Sequence, residues 1–305
     1  MHRFFLAVLL SLCASAAAAS YQSTRLVYTI SWGNILLAKS QLDYQFSDDD
    51  ARILASVDSD GFIAFFSGFQ SRAEADLVLK DAGWTPKTLF MERISGRKTL
   101  QSRVAWDDDS NVSTESRMPE LDLREVYPLT GQMRVNVLDP YSAVLRLMRH
   151  IETTSECNET YEIYDGRRRS RLHFKSLGTN DLTETRPGEF VGEALVCSLE
   201  FEPIGGHQID SKWRSGEKDD DDDRIKFFFG RPLQGQIVPV RVEVDSWIGT
   251  IVGRLDIRKM SRSTQQFTKI APSHCIGTEP TCVFRRETVL RGCARTTISP
   301  ALHPR

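Results

Sequence analysis

The stretch Leu26-Val27-Tyr28-Thr29-Ile30-Ser31-Trp32-Gly33-Asn34-Ile35-Leu36-Leu37-Ala38-Lys39-Ser40-Gln41-Leu42-Asp43-Tyr44-Gln45-Phe46 reads with period two on both sides of Gly33-Asn34. Leu26, Tyr28, Ile30 and Trp32 alternate with Val27, Thr29 and Ser31. Leu36, Ala38, Ser40, Leu42, Tyr44 and Phe46 alternate with Leu37, Lys39, Gln41, Asp43 and Gln45. Alternation puts one set of side chains on a buried face, which is the signature of strands. Glycine followed by Asn between two such runs makes a tight hairpin. This pair of strands sets the pattern for most of the chain.

The same period returns at Leu100, Ser102, Val104 and Trp106, at Leu195, Cys197, Leu199 and Phe201, at Val238, Val240, Val242 and Val244, and at Ile251, Gly253, Leu255 and Ile257. Acidic turns at Asp48-Asp49-Asp50, Asp107-Asp108-Asp109 and Asp219 to Asp223 punctuate it, because Asp carboxylates bond nearby backbone amides. Frequent strands joined by short turns predict a mainly β fold, a single antiparallel sheet forming an open barrel or spiral. One helix is predicted at 140–151. Asp139 suits its N-cap and Pro140 its first position, and Tyr141, Val144, Leu145, Met148 and Ile151 form one apolar stripe. Phe62, Phe65, Phe66 and Phe69 also share a helical face within a glycine-bounded segment. From Arg258 onward the period is lost, so 258–305 is read as a mobile tail.

The N-terminus has the three parts of a secretory signal. Met1-His2-Arg3 is positive, Phe4 to Leu12 is apolar, and Ala14 to Ala19 offers small residues for cleavage after Ala19. The apolar run is too short to span a bilayer. Residues 1–19 are therefore read as the signal and 20–257 as the folded domain, exported to the periplasm. The chain has 39 Lys and Arg against 41 Asp and Glu. That balance argues against a dedicated nucleic-acid binder. In an oxidising compartment, Cys157 and Cys197 are expected to form a disulfide. Cys275, Cys282 and Cys293 are read as lying outside the fold.

The ordered set Trp32-Gly33-Asn34-Ile35-Leu36-Leu37-Ala38, Ser59-Asp60-Gly61, Asp139-Pro140-Tyr141-Ser142, Cys157, Asp165-Gly166-Arg167-Arg168, Gly192 to Cys197, and Pro203-Ile204-Gly205-Gly206 resembles a family of exported proteobacterial proteins of unknown function. The resemblance covers residues 21–257. It implies an open β-barrel or β-spiral, similar in outline to periplasmic lipoprotein carriers, and a role in the cell envelope. It carries over no catalytic residue.

The residues themselves point to few sites. Arg167, Arg168 and Arg169 could meet an anion or lipid headgroup, since guanidinium forks match phosphate and carboxylate. The plainer reading is an Asp165-Gly166 hairpin turn with solvated arginines, or one Arg turned inward to an acid such as Glu200. The Phe62, Phe65, Phe66 and Phe69 stripe could cap a barrel mouth or simply plug it as core. The acidic run at 219–223 lacks the alternation and distal Glu of a calcium loop. His274 with the three tail cysteines lacks zinc spacing. His150, His173 and His207 are not paired at ligand spacing, and no Gly-x-Ser-x-Gly elbow occurs.

These readings lead to an expectation of a non-catalytic envelope protein without metal or cofactor, binding a lipid, peptide or protein partner. Trp32, Phe62, Phe65, Phe66 and Trp106 would bury its apolar part, and Arg167 and Arg168 would anchor a polar group. A scaffold that pairs a sheet edge with a partner, and an envelope hydrolase, are the alternatives.

Overall fold

The computed structural model describes residues 19–60, 68–209, 224–233, 235–246 and 249–267. The alternating runs become β1 (Ala19–Trp32), β2 (Ile35–Phe46), β3 (Asp50–Ser59), β4 (Gln70–Lys80), β5 (Gly83–Ser95), β6 (Lys98–Trp106) and β7 (Val112–Met118). After a 3-10 turn at Gly131–Arg134 comes the helix α1 (Pro140–Thr154). Then follow β8 (Glu159–Tyr164), β9 (Arg169–Leu182), β10 (Gly192–Gly205), β11 (Ile225–Leu233), β12 (Gln236–Ser246), β13 (Gly249–Leu255) and β14 (Ser261–Phe267). All lie in one sheet ordered β7-β6-β5-β4-β3-β2-β1-β13-β12-β11-β10-β9-β8, with β14 also on β1. Every ladder is antiparallel, and β7 and β8 are not hydrogen-bonded to each other. The sheet is an open barrel, as the alternation predicts.

The helix begins where its sequence says it should. Asp139 is fully buried and accepts from the backbone amides of Tyr141 (2.8 Å) and Ser142 (3.2 Å) and from the Ser142 hydroxyl. These bonds satisfy donors that the first turn leaves orphaned. Burial still pushes the Asp139 carboxyl above its ordinary value. Ala143, Leu145, Leu147, Met148 and Ile151 are buried in the core. Arg146 ties the other half of the helix to β5, its Nε donating to the Trp84 carbonyl at 2.7 Å. The helix touches β5, β8 and β12. Those strands are far apart in the sheet, so the sheet wraps around α1.

Two lines of bonds hold the wrap shut where β7 and β8 fail to pair. First, the segment before α1 fills the gap. The Leu138 amide donates to Glu162 O at 2.9 Å, the Tyr164 amide to Leu138 O at 2.8 Å, and the Val137 amide to Ser110 O at 3.0 Å. Second, the β8–β9 turn is fastened to β6 and β7. Ser102 Oγ donates to Asp165 O at 2.8 Å and Arg117 Nε to Gly166 O at 3.0 Å. The fully buried Tyr164 donates to Glu115 at 2.6 Å, and Arg117 and Arg134 each pair with Glu115 at 2.8 Å. Gly166 has φ +87°, and an added Cβ would stand 2.7 Å from Ser102 Cβ. A side chain there would force the turn off β6.

The disulfide Cys157–Cys197 is present, closing a separation of 40 residues. It joins β10 to the α1–β8 connection across β9, where the Cys157 amide also donates to Ser176 Oγ at 2.8 Å.

Several departures from strict alternation have local causes. In β12 the register shifts between Phe228 and Phe229 of the partner strand, so Val240 leaves the face shared by Val242 and Val244. A bulge of this kind inserts one residue and turns it over, and it lets Pro239 sit in an inner strand without an amide to offer. In β1 the shift between Ile30 and Ser31 leaves Ser31 buried on the other face. There it receives Arg186 (3.1 Å) and Arg254 (3.0 Å) from the β9–β10 loop and β13. Arg169 and Arg171 pair with Glu162, not Glu200.

Residues 258–267, assigned from sequence to the tail, are instead part of the fold. Asp256 accepts from the Arg258 amide and starts a 3-10 turn, after which β14 pairs with β1 from Arg25–Ser261 to Ala19–Phe267. Ser261-Arg262-Ser263-Thr264-Gln265-Gln266 is polar throughout, so backbone pairing alone makes this strand and no apolar period announces it. Residues 1–18 of the signal expected at 1–19, the phenylalanines 62, 65 and 66, the acidic run 219–223 and the tail cysteines lie outside the described residues, while Ala19 opens β1. Among the described residues no helix is long and apolar enough to cross a membrane.

Two outcomes are expected of this architecture. Cys157→Ser with Cys197→Ser should cost about 2–4 kcal/mol, read as a lower melting temperature. Wild type that melts identically with and without reductant would remove the bridge from the stabilising contacts. The second concerns pH. Burial pushes Glu115 up, but hydrogen bonds from Arg134, Tyr164 and Arg117 outweigh it and hold the carboxyl below its ordinary value of 4.5. A depressed carboxyl stabilises the fold above its ordinary value and loses that contribution as pH falls through the lower, folded one. Glu115→Gln should therefore be destabilised near neutral pH, with the gap to wild type closing below about pH 4. Denaturant midpoints across that range check it, and a gap that stays constant would rule out the assignment.

Candidate binding site

In an antiparallel meander, alternate turns gather at one end. The β1–β2, β3–β4, β5–β6, β8–β9, β10–β11 and β12–β13 connections therefore form one rim. Two cavities open near it.

The first is an apolar hollow of about 430 Å³ between α1 and the sheet. Strands β1 and β2 contribute Tyr28, Ile30, Ser40, Leu42 and Tyr44, and β3 contributes Ile53. Phe227 comes from β11, Pro239, Val242 and Val244 from β12, and Ile251 and Gly253 from β13. The helix closes it with Pro140, Tyr141 and Val144. Among the described residues no charged side chain lines it. Alternation explains the sheet walls, since Tyr28 and Ile30 share a face, as do Ser40, Leu42 and Tyr44. Cross-strand pairing aligns them, Tyr28 opposite Ser40 and Tyr44 opposite Ile53.

The polar side-chain groups in this lining are three phenols and the Ser40 hydroxyl. Tyr28 Oη donates to the Pro239 carbonyl at 2.7 Å, which uses its proton within the wall. Burial pushes the pKa values of Tyr28, Tyr44 and Tyr141 far up, reinforced by Tyr44 for Tyr28 and by Asp139 and then Tyr44 for Tyr141. All three stay protonated at neutral pH. They are hydrogen-bond donors, and none can act as a base there. Tyr44 stacks on Phe46 with ring centroids 6.1 Å apart, and Phe46 in turn packs on Trp84 at 5.6 Å. Phe227 is held between Phe174 and Phe229, each 6.1 Å away. The walls are thus fixed by aromatic packing from behind.

The second cavity, about 720 Å³, sits over the fastened seam. The β5–β6 hairpin lines it with Arg93, Arg97 and Lys98, the β8–β9 turn with Asp165, Arg167 and Arg168, and the loop segments 119–126 and 206–208 complete it. Charged side chains stand in its walls, which the described lining of the hollow lacks, although most of the wall area is apolar.

The residues proposed from sequence divide between these places. Arg167 and Arg168 line the polar cavity. Trp32 stands at the rim, 37% exposed, where a Cβ on Gly249 would lie 3.1 Å from its Nε1. Trp106 lines neither cavity. It is at the end of β6 away from the rim, buried in the core, because the sheet's inward face there is filled by packing. Phe62, Phe65 and Phe66 lie outside the described residues. The sequence reading did not single out the tyrosines. Their signal was present, since Tyr28 and Tyr44 stand on the inward face of the first hairpin and Tyr141 on the helix stripe.

Comparison with curated proteins yields no match. Among solved structures, the crystal structure of a beta-barrel-like protein of domain of unknown function DUF1849 from Brucella abortus is similar over 81% of this chain and 98% of its own. The TM-score is 0.40 and the identity 11%. A family model described as protein of unknown function, DUF3108, matches residues 27–256, from within β1 to just past β13, and the chain belongs to that family.

Proposed function

We propose that this protein is a non-catalytic, exported component of the cell envelope that binds the apolar part of a lipid in the hollow beneath α1. The observation that carries this reading is the hollow itself. Its volume of about 430 Å³ lies within the range of roughly 300–1,000 Å³ typical of small-molecule sites. Its walls are apolar, its polar groups are neutral donors, and it opens near one rim of the sheet. Such a space suits an acyl chain, with Tyr44 and Tyr141 offering protons to an ester or carbonyl oxygen. Periplasmic location rests on the signal-like N-terminus and on the disulfide, which oxidising compartments favour.

The scaffold reading has one feature in its favour, the outer edge of β7. Glu115 and Arg117 on that strand are engaged by Tyr164, Arg134 and the β8–β9 turn. An added strand would have to displace them, which favours the hollow as the working site.

Displacement of a fluorescent fatty acid tests the proposal. Val144→Trp should fill the hollow and weaken binding at least about tenfold, with the melting profile remaining cooperative. A wild-type protein that binds no acyl probe, and that carries no lipid by native mass spectrometry when purified from the periplasm, would end the carrier reading.

A further inference from the structure

We infer that the polar cavity over the seam is an oxyanion site, taking a phosphate group either as a lipid headgroup or as free phosphate. The lipid source rests on the hollow being an acyl site, while the free-phosphate source does not.

The charges around the cavity are unevenly paired. Arg168 is satisfied by Asp165 at 2.8 Å. Arg124 takes Asp122 at 2.6 Å, and Arg117 reaches Glu120 at 3.8 Å. Arg93, Arg97, Lys98 and Arg167 have no carboxylate partner among the described residues, and they outnumber the unpaired acids Glu92 and Glu125. Glu92 is occupied by Gln101 Nε2 at 2.6 Å.

The arginines are also held in place. Arg167 donates to the Pro119 carbonyl at 2.8 Å, leaving guanidinium donors over for a ligand. The Arg167 and Arg168 amides both donate to Asp165 Oδ1, at 2.9 and 2.7 Å. A Cβ on Gly206 would lie 2.0 Å from Arg167 O, so the 206–208 segment is pressed against this turn. Arg93 and Arg167 are both lowered from the ordinary arginine value, first by burial, and then by neighbouring cations, Arg168 for Arg93 and Arg117 for Arg167, with Asp165 acting in the opposite sense on both and Glu120 on Arg167 without outweighing them. Cations crowded into a partly desolvated recess are stabilised by an anion, and guanidinium forks suit phosphate oxygens.

Calorimetric titration of the full chain at low salt tests this with three probes: inorganic phosphate, lauroyl lysophosphatidate and uncharged monolaurin. Phosphate binding, or lysophosphatidate binding at least about tenfold tighter than monolaurin, supports the site, provided that Arg93→Gln with Arg167→Gln removes the gain. The first result indicates free phosphate and the second a headgroup. Added salt should weaken either. If the double variant does not melt cooperatively, the exposed and unpaired Arg97→Gln replaces it and should weaken binding severalfold. No phosphate binding together with no preference for lysophosphatidate over monolaurin overturns the inference, as does a gain that survives the substitutions. Monolaurin binding alone would leave the acyl reading standing without the anion site, and phosphate binding alone would do the reverse.

Discussion

The inward face of one long sheet has to be covered, and a single helix must help do it. Thirteen strands lie along one path, and at ~4.8 Å per strand they make a sheet roughly 60 Å wide. Left flat, its apolar face would stay wet. Curled on itself, the sheet is roughly 20 Å across, whereas a helix with its side chains fills about 10–12 Å. Wrapping is therefore favoured, and the one helix inside is too slim to fill the space everywhere. The hollow beside Tyr141 and Val144 follows from this mismatch of sizes.

The wrap would be ambiguous without its fastenings. Nothing in the strand ladders joins β7 to β8, and the chain closes the gap with unlike devices. The extended Val137-Leu138 segment supplies backbone bonds on the way into α1. Glu115, Arg117, Arg134 and Tyr164 supply a partly buried charged cluster, in which burial first and Glu115 second push the tyrosine pKa up to about 12. The disulfide pins the other end of α1 to β10. Each fastening involves the helix or a segment flanking it, so the position of α1 and the closure of the sheet are set together. The same seam creates the polar cavity, because the turn that docks on β6 brings its arginines beside those of the β5–β6 hairpin.

Much of the fold was legible in the residues. The hairpin at Gly33-Asn34, the strands flanking it, the Asp139-Pro140 helix start and the cysteine pair follow from local rules: side-chain alternation, capping, turn chemistry and redox compartment. The bulge at Val240 was not legible, because an unbroken Val-x-Val run hides an insertion that only the partner strand reveals. Strand β14 was not legible either, since its polar sequence has no buried face to declare. At the site, Arg167 and Arg168 could be found because an Asp-Gly turn followed by arginines is a short-range signal. Trp106 lies in the core and not in either cavity wall, and an inward aromatic looks the same from sequence whether it lines a void or fills the core.

By itself, then, the order of residues determined that this is an antiparallel β protein with the capped helix α1 and a disulfide. Period, capping and turns act over a few neighbours and are written directly into the chain. Only the tertiary structure decided where the sheet closes, which inward side chains meet a void, and that four cations of the seam make no ion pair among the described residues. Those properties depend on residues more than forty positions apart being brought together, and no local pattern encodes how much space is left between them.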